Sequence, residues 1–297
     1  MKTSVVITSR NDNYGGHLNE RATYCLNSMC DSFDEVWYID WNTPEGKPSL
    51  LYDIIGDIKT NNKLNHIVVS PQVANLLTNN DPNAQKCCEV LGRNLGIRRA
   101  TGDWIVSSNI DIIAPNKEDL TNLLSNIDKN TFYTLSRRHI DRKEFKNYSY
   151  DKFTELRNYL YETVEPREHT EQVVEGDDYS IINCCGDFQI AHRDLWYDIR
   201  GFEERLRYCL YTDTNVQKKA AMHEYGLKAI FEPPAFHINH GTSGYGGGNF
   251  GGIEGSTSED GTNRVTNNPQ DAIVGQGKTQ NLESWGFSDI EVEYETL

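Results

Sequence analysis

Apolar residues in the first hundred positions alternate between two periods. Short dense blocks at Ser4–Thr8, Val36–Ile39 and His66–Val69 read as buried strands, each closed by polar residues. Between them the period lengthens: Ala22, Cys25, Leu26 and Met29 share one helical face, Leu50–Ile58 is compatible with another helix, and Ala84, Cys87, Cys88, Leu91 and Leu95 define a stripe over 84–100. Gly102 stops that helix, and Trp104–Val106 opens a strand that ends on the polar tip Asn109-Ile110-Asp111. Strands and helices alternating at this spacing predict an α/β fold, a mixed sheet flanked by helices. In such sheets ligands sit beyond the carboxyl ends of the strands. Those ends are Ser9-Arg10-Asn11-Asp12, Asp40-Trp41-Asn42 and Ser108 to Asp111.

Past residue 136 the pattern loosens. Residues 137–178 are densely charged and read as a helical insertion, with one amphipathic helix carried by Phe153, Leu156, Tyr159, Leu160 and Val164. A strand is expected around Gly186-Asp187-Phe188 within 181–191, a helix over Asp213–Tyr225, a short strand at Lys228–Phe231, and then Phe236 to His240. From Gly241 the chain turns to Gly, Ser, Asn and Thr, a composition that supports no packed core. These shifts divide the chain into one domain over 1–240 and a mobile Gly-rich loop and tail over 241–297, in which Asn281 to Phe287 looks like a docking segment.

The formal net charge of −15 opposes binding to a nucleic-acid backbone. No apolar run is long enough to span a bilayer, and the segment before Ser9 is too short for a signal peptide. Seven cysteines form neither an even disulfide framework nor a CxxC metal pattern, so reduced thiols in a cytoplasm are the simplest expectation.

Taken in order, SVVITSRND, the strand ending at Asp40, GRNLGIRRATGDWIVSSNIDI, GDFQIAHRDLWYDIRGFEE, the Thr-Asp-Thr helix start and HINH resemble the GT-A glycosyltransferases, especially the family 2-like group. Each motif is short; their order and spacing over residues 3–240 carry the resemblance. It implies a Rossmann-like single domain, a nucleotide-diphosphate sugar as donor with UDP favoured, a hydroxyl of a glycan or other molecule as acceptor, and Mn²⁺ or Mg²⁺ as cofactor. Asp111 stands where the last Asp of the family's Asp-x-Asp binds the metal, and Asn109 where the first would be. An amide there can still meet a ribose hydroxyl or a metal-bound water, but it adds no charge. On that reading Asn109→Asp would tighten Mn²⁺ dependence.

The same resemblance places Thr8, Ser9 and Arg10 against nucleoside and phosphate, Asp40 against the base, Arg93 or Arg98 against the diphosphate, and Asp187 against donor or acceptor. It gives Asp213 the role of base in an inverting displacement, although Thr212 replaces the expected Glu. Each has a plainer alternative: Asp40 can initiate the turn before Pro44, Thr212 or Asp213 can cap a helix, and Arg10, Arg93 and Arg98 can be surface charges. His237 is the favoured imidazole ligand. Strand alternation sends 237 and 240 to opposite faces, so the two are not expected to bind one ion together. Two other readings stay open: a sugar nucleotidyltransferase, for which Ser9 to Gly16 is a weak loop match, and a non-catalytic sugar-binding protein with a degenerate site.

Overall fold

The computed structural model describes residues 1–141, 148, 153–164, 186–208, 211–240 and 281–297. Its strands are β1 (Thr3–Ser9), β2 (Glu35–Trp41), β3 (Leu64–Val69), β4 (Trp104–Ser108), β5 (Ile112–Ile113), β6 (Thr131–Ile140), β7 (Phe188–His192), β8 (Gly226–Ile238) and β9 (Glu295–Thr296). Its helices are α1 (Leu18–Ser32), α2 (Leu50–Ile54), α3 (Pro71–Leu77), α4 (Glu89–Ile97), α5 (Lys117–Asn126), α6 (Phe153–Thr163), α7 (Arg193–Asp198) and α8 (Thr212–Met222). Among the described residues one mixed sheet runs β5-β8-β6-β7-β4-β1-β2-β3-β9. This is the GT-A-like architecture that the resemblance implied, a Rossmann-like mixed sheet flanked by helices.

Strand alternation builds a core on each face of the sheet. Val5, Ile7, Val36 and Tyr38 point to one side, under Ala22, Cys25 and Met29 of α1 and Leu120 and Leu124 of α5. Val6, Trp37 and Ile39 point to the other, under Leu91 and Leu95 of α4, Trp196 of α7 and Val216 of α8. Because both faces are covered, the central strands read as near-continuous apolar runs rather than alternating ones.

Register fixes which side chains meet. β1 to β4 are parallel, so Ser9, Asp40 and Ser108 finish at one edge. β7 runs antiparallel to β4 with Phe188 beside Ser108, which brings Asp187 to that same edge. β6 is antiparallel to β7 and parallel to β8, with His139 beside His237, so the carboxyl ends of both also arrive there.

Several boundaries differ from the sequence reading. The helix expected over 84–100 is limited to Glu89–Ile97, and that expected over Asp213–Tyr225 to Thr212–Met222. The two apolar segments on either side of Pro233-Pro234 are one strand, β8, tolerated because the prolines fall where its pairing to β6 shifts register between Leu135 and Arg137. Arg137 to Ile140, assigned by charge to an insertion, are the end of β6. The helix on Phe153 to Val164 is present as α6. Apart from Asp141 and Tyr148, the rest of the insertion, the adjacent Cys184-Cys185 and the Gly-rich 241–280 lie outside the described residues. Asn281 to Phe287 docks as expected: Trp285 is buried, and Asn281 donates to the carbonyls of Arg200 and Phe202. No described helix is long and apolar enough to cross a membrane.

Candidate active site

At the carboxyl edge of the sheet three potential ligands converge. The ligand atoms of Asp111, His237 and His240 all lie within 4.8 Å of one another. Asp111 leaves β4 by a two-residue tip and is nearly buried. Its Oδ2 lies 2.9 Å from His240 Nε2 and 3.9 Å from His237 Nε2. Pairing Ile112 with His237 across β5 and β8 puts the two neighbours side by side. The expectation that 237 and 240 diverge is overturned: β8 ends at Ile238, so alternation no longer applies and the chain turns His240 back. Tyr14 packs edge-on against the His240 ring. Gly15, at φ +72°, passes so close to that ring that a Cβ would strike it.

Arg21 was missed by sequence reasoning. It lies in the first turn of α1, buried, and donates from Nη1 to Asp111 Oδ2 at 3.2 Å, from Nη2 to the Tyr14 carbonyl and from Nε to the Gly16 carbonyl. Burial alone would raise the Asp111 pKa, but His237, His240 and the Arg21 guanidinium reverse this and hold the carboxyl well below the usual range. Burial pushes His237 down to about 3 against the pull of Asp111, leaving a neutral imidazole with a free lone pair at neutral pH. His139 Nδ1 lies 3.2 Å from His237 Nδ1 and 2.9 Å from Asn239 Oδ1, and Asn239 in turn donates to Asp141. Such a chain orients the ring. Asp111 Oδ1, by contrast, is buried with no hydrogen-bond partner among the described residues. An orphaned carboxylate oxygen beside two imidazoles is a donor set that fits a first-row divalent ion such as Mn²⁺; Mg²⁺ is ordinarily served by oxygen alone.

A second group lies alongside. Arg93, on the buried face of α4, donates from Nη2 to Asn109 Oδ1 (2.5 Å) and Glu89 (3.0 Å), and Nη1 reaches Asp213 Oδ1 at 3.4 Å. Asn109 Nδ2 donates to Asp187 Oδ1 at 2.7 Å, and Arg137 pairs with the other Asp187 oxygen. Asn109 is therefore held between a cation and an anion. Asp213 opens α8 at the same edge, its side chain 34 % exposed.

The remaining predicted residues are placed differently. Asp40 is fully buried and accepts from Ser49 Oγ, the Leu50 amide and Thr43 Oγ1. It holds the loop after β2 from within, in keeping with the turn alternative rather than with a base contact. Ser9 Oγ is bonded to Tyr38 Oη at 2.6 Å, and Thr8 is pressed under Gly92. Arg10 donates to the Asn42 carbonyl and to Asp12, tying the first two strand ends together. Arg98 does not face this edge. α4 descends β1 from Gly92 over Thr8 to Gly96 over Val6, so Arg98 emerges at the opposite end, between the rings of Tyr197 and Trp285 at 4.9 Å from each. There it docks the tail.

Comparison with known proteins gives no matching family model and no matching curated protein. Among solved structures the chain is similar to S. aureus TarS 1–349, at 18 % identity and a TM-score of 0.49 over 80 % of this chain, and that protein has also been solved in complex with UDP and with UDP-GlcNAc. It is similar as well to the mannosyltransferase PcManGT from Pyrobaculum calidifontis in complex with GDP-Man and Mn²⁺, at 16 % identity and a TM-score of 0.48 over 80 %. The chain spans 60 % of the first and 56 % of the second, less than two thirds of either.

Proposed function

We propose that this protein is a metal-dependent glycosyltransferase that moves a sugar from a nucleotide-diphosphate donor, UDP-linked by preference, to a hydroxyl acceptor with inversion. The observation that carries the reading is the buried Asp111 oxygen without a partner among the described residues, set beside His237 and His240 at the carboxyl edge of the mixed sheet. These three residues would hold Mn²⁺, which when bound neutralises the charge gathering on the departing diphosphate. Arg21 donates to Asp111 Oδ2 and so fixes that oxygen. Asp213 is a part-exposed carboxylate at this edge and takes the proton of the acceptor hydroxyl as that oxygen attacks the anomeric carbon and the bond to diphosphate breaks. Arg93 restrains Asp213 from the side of the sheet. Asp187, tied to Asn109 and Arg137, is the candidate for a hydroxyl of donor or acceptor.

A panel of UDP- and GDP-sugars with Mn²⁺, read by release of free nucleoside diphosphate, tests this. At least one donor should be turned over, with Asp213→Asn slower by roughly 10²–10⁴-fold and Asp111→Ala inactive. If no donor is consumed and neither nucleotide plus Mn²⁺ shifts the melting temperature, the reading is wrong.

A further inference from the structure

The group beside the metal ligands has an internal logic that the likeness to a carboxylate clamp hides. Five side chains form a row of alternating charge: Arg137, Asp187, Asn109, Arg93, Asp213. Four are charged, and the amide stands at the junction of the two pairs. Its oxygen accepts from the Arg93 guanidinium at 2.5 Å and its nitrogen donates to the Asp187 carboxylate at 2.7 Å. The backbone pins the same junction, because the Asn109 amide N–H and Ser108 Oγ both donate to the Asp187 carbonyl, at 3.3 and 2.9 Å.

Only a side chain with an acceptor and a donor on one planar group can satisfy both neighbours. A carboxylate at 109 would still serve Arg93, but it would set two carboxylates at hydrogen-bond distance with no proton between them. An apolar residue would leave a guanidinium N–H and a carboxylate oxygen short of a partner in a buried site. Arg93 has little freedom to compensate. It is nearly buried, its guanidinium carbon lies 5.3 Å from the centre of the Phe202 ring, and Phe202 is itself clamped by Asn94 through its own N–H and C=O.

We infer that Asn109 is a positioning residue: it locks Arg93 and Asp187 into one charge-alternating row and through Arg93 holds the carboxylate of Asp213 where the acceptor hydroxyl must arrive. The amide is then what the row requires, and not a metal carboxylate that has been lost. The catalytic half of this inference rests on the transferase reading; the existence of the row does not.

A double-substitution cycle separates the two. Asn109→Asp is isosteric and should lower the melting temperature by roughly 5 °C, with Asp187→Asn also destabilising because it removes the anion facing Arg137. The two together reverse the row. The amide introduced at 187 offers its carbonyl to Arg137 and its NH₂ to the carboxylate introduced at 109, which still accepts from Arg93. The double variant should recover at least half of the summed loss. If the two losses simply add, there is no row.

With a donor from the panel, Asn109→Asp should lower kcat by roughly tenfold while donor KM stays within about twofold; the double variant is read by melting alone, because Asp187 is itself placed against substrate. A variant that melts early yet keeps wild-type kcat would overturn the positioning role. Should the wild-type protein consume no donor at all, the transferase reading and the catalytic half fall together, and the melting cycle alone decides the row.

Discussion

Asp111 is a buried carboxylate whose two oxygens live in different surroundings. Oδ2 is met by Arg21 and His240, so the ionised form is stable without help from solvent, while Oδ1 keeps its full capacity as an acceptor. That asymmetry makes the residue a ready ligand. It also makes His240 a testable partner: His240→Ala should weaken Mn²⁺ binding at least about tenfold, read by titration calorimetry or by the electron-spin resonance of free Mn²⁺, with no nucleotide present. An unchanged affinity would remove His240 from the site. Asn109 shows the limit of reading a single position by analogy. In sequence it stands where a carboxylate is expected, but its neighbours in space ask for an amide.

Among the elements, α4 sets the depth of the site. Gly92 and Gly96 recur one turn apart and lie flush on β1, with no room for a Cβ over Thr8 or Val6. Close approach of the helix carries Arg93 inward to reach Asn109, which a larger residue at 92 or 96 would prevent. Gly96→Val should therefore destabilise by roughly 1–3 kcal/mol in urea unfolding, whereas Gly56→Ala, at a position open to solvent, should be close to neutral. Equal effects would mean that α4 can back away from the sheet. The short strand ends matter as much as the helices. β8 stops at Ile238, and that one boundary decides whether His240 is a ligand or a surface residue.

In the molecule as a whole, Lys219 reports on how tightly the Gly201–Glu204 bend is closed. It is fully buried, donates to the Gly201 carbonyl at 2.9 Å, and is pushed by burial from 10.5 down to about 8, with Glu203 opposing the shift. Between those two values the unfolded chain binds the extra proton, so this group's contribution to stability rises as pH goes from 8 to 10.5 and its full cost, about 3 kcal/mol, is present below 8. Wild-type protein should accordingly gain stability relative to Lys219→Met between pH 7.5 and 9.5 in urea titrations. A constant difference would mean that the ammonium is solvated. Among the four described free cysteines, Cys25, Cys30 and Cys88 are buried, and burial raises their thiols together with that of Cys87; Cys25 Sγ donates to the Asn109 carbonyl at 3.4 Å.

Elements were legible in the chain where local pattern and tertiary burial agree. β1, β2 and β4 are dense apolar runs because both of their faces are covered, and α1 shows its stripe because Ala22, Cys25, Leu26 and Met29 pack on the sheet while its other buried positions are mostly polar. β6 was not legible: its carboxyl half, Ser136 to His139, is polar because Arg137 and His139 face the site while Ser136 and Arg138 bond outward to Phe231, Val164 and Glu232. β9 is two residues long and exists only through its pairing with Asn65 and His66.

By itself the sequence determined the α/β alternation and the polar strand ends, which are written in spacing along the chain, and the resemblance of its motifs implied the candidacy of Asp111, Asp187, Asp213, Arg93 and His237. Tertiary structure alone decided that Arg21 and His240 join Asp111, that Arg98 faces away, that Asp40 is spent on its own loop, and that Asn109 sits between opposite charges. Those facts depend on sheet register, on the direction in which α4 descends and on how the loop after β2 folds, and no local period carries that information.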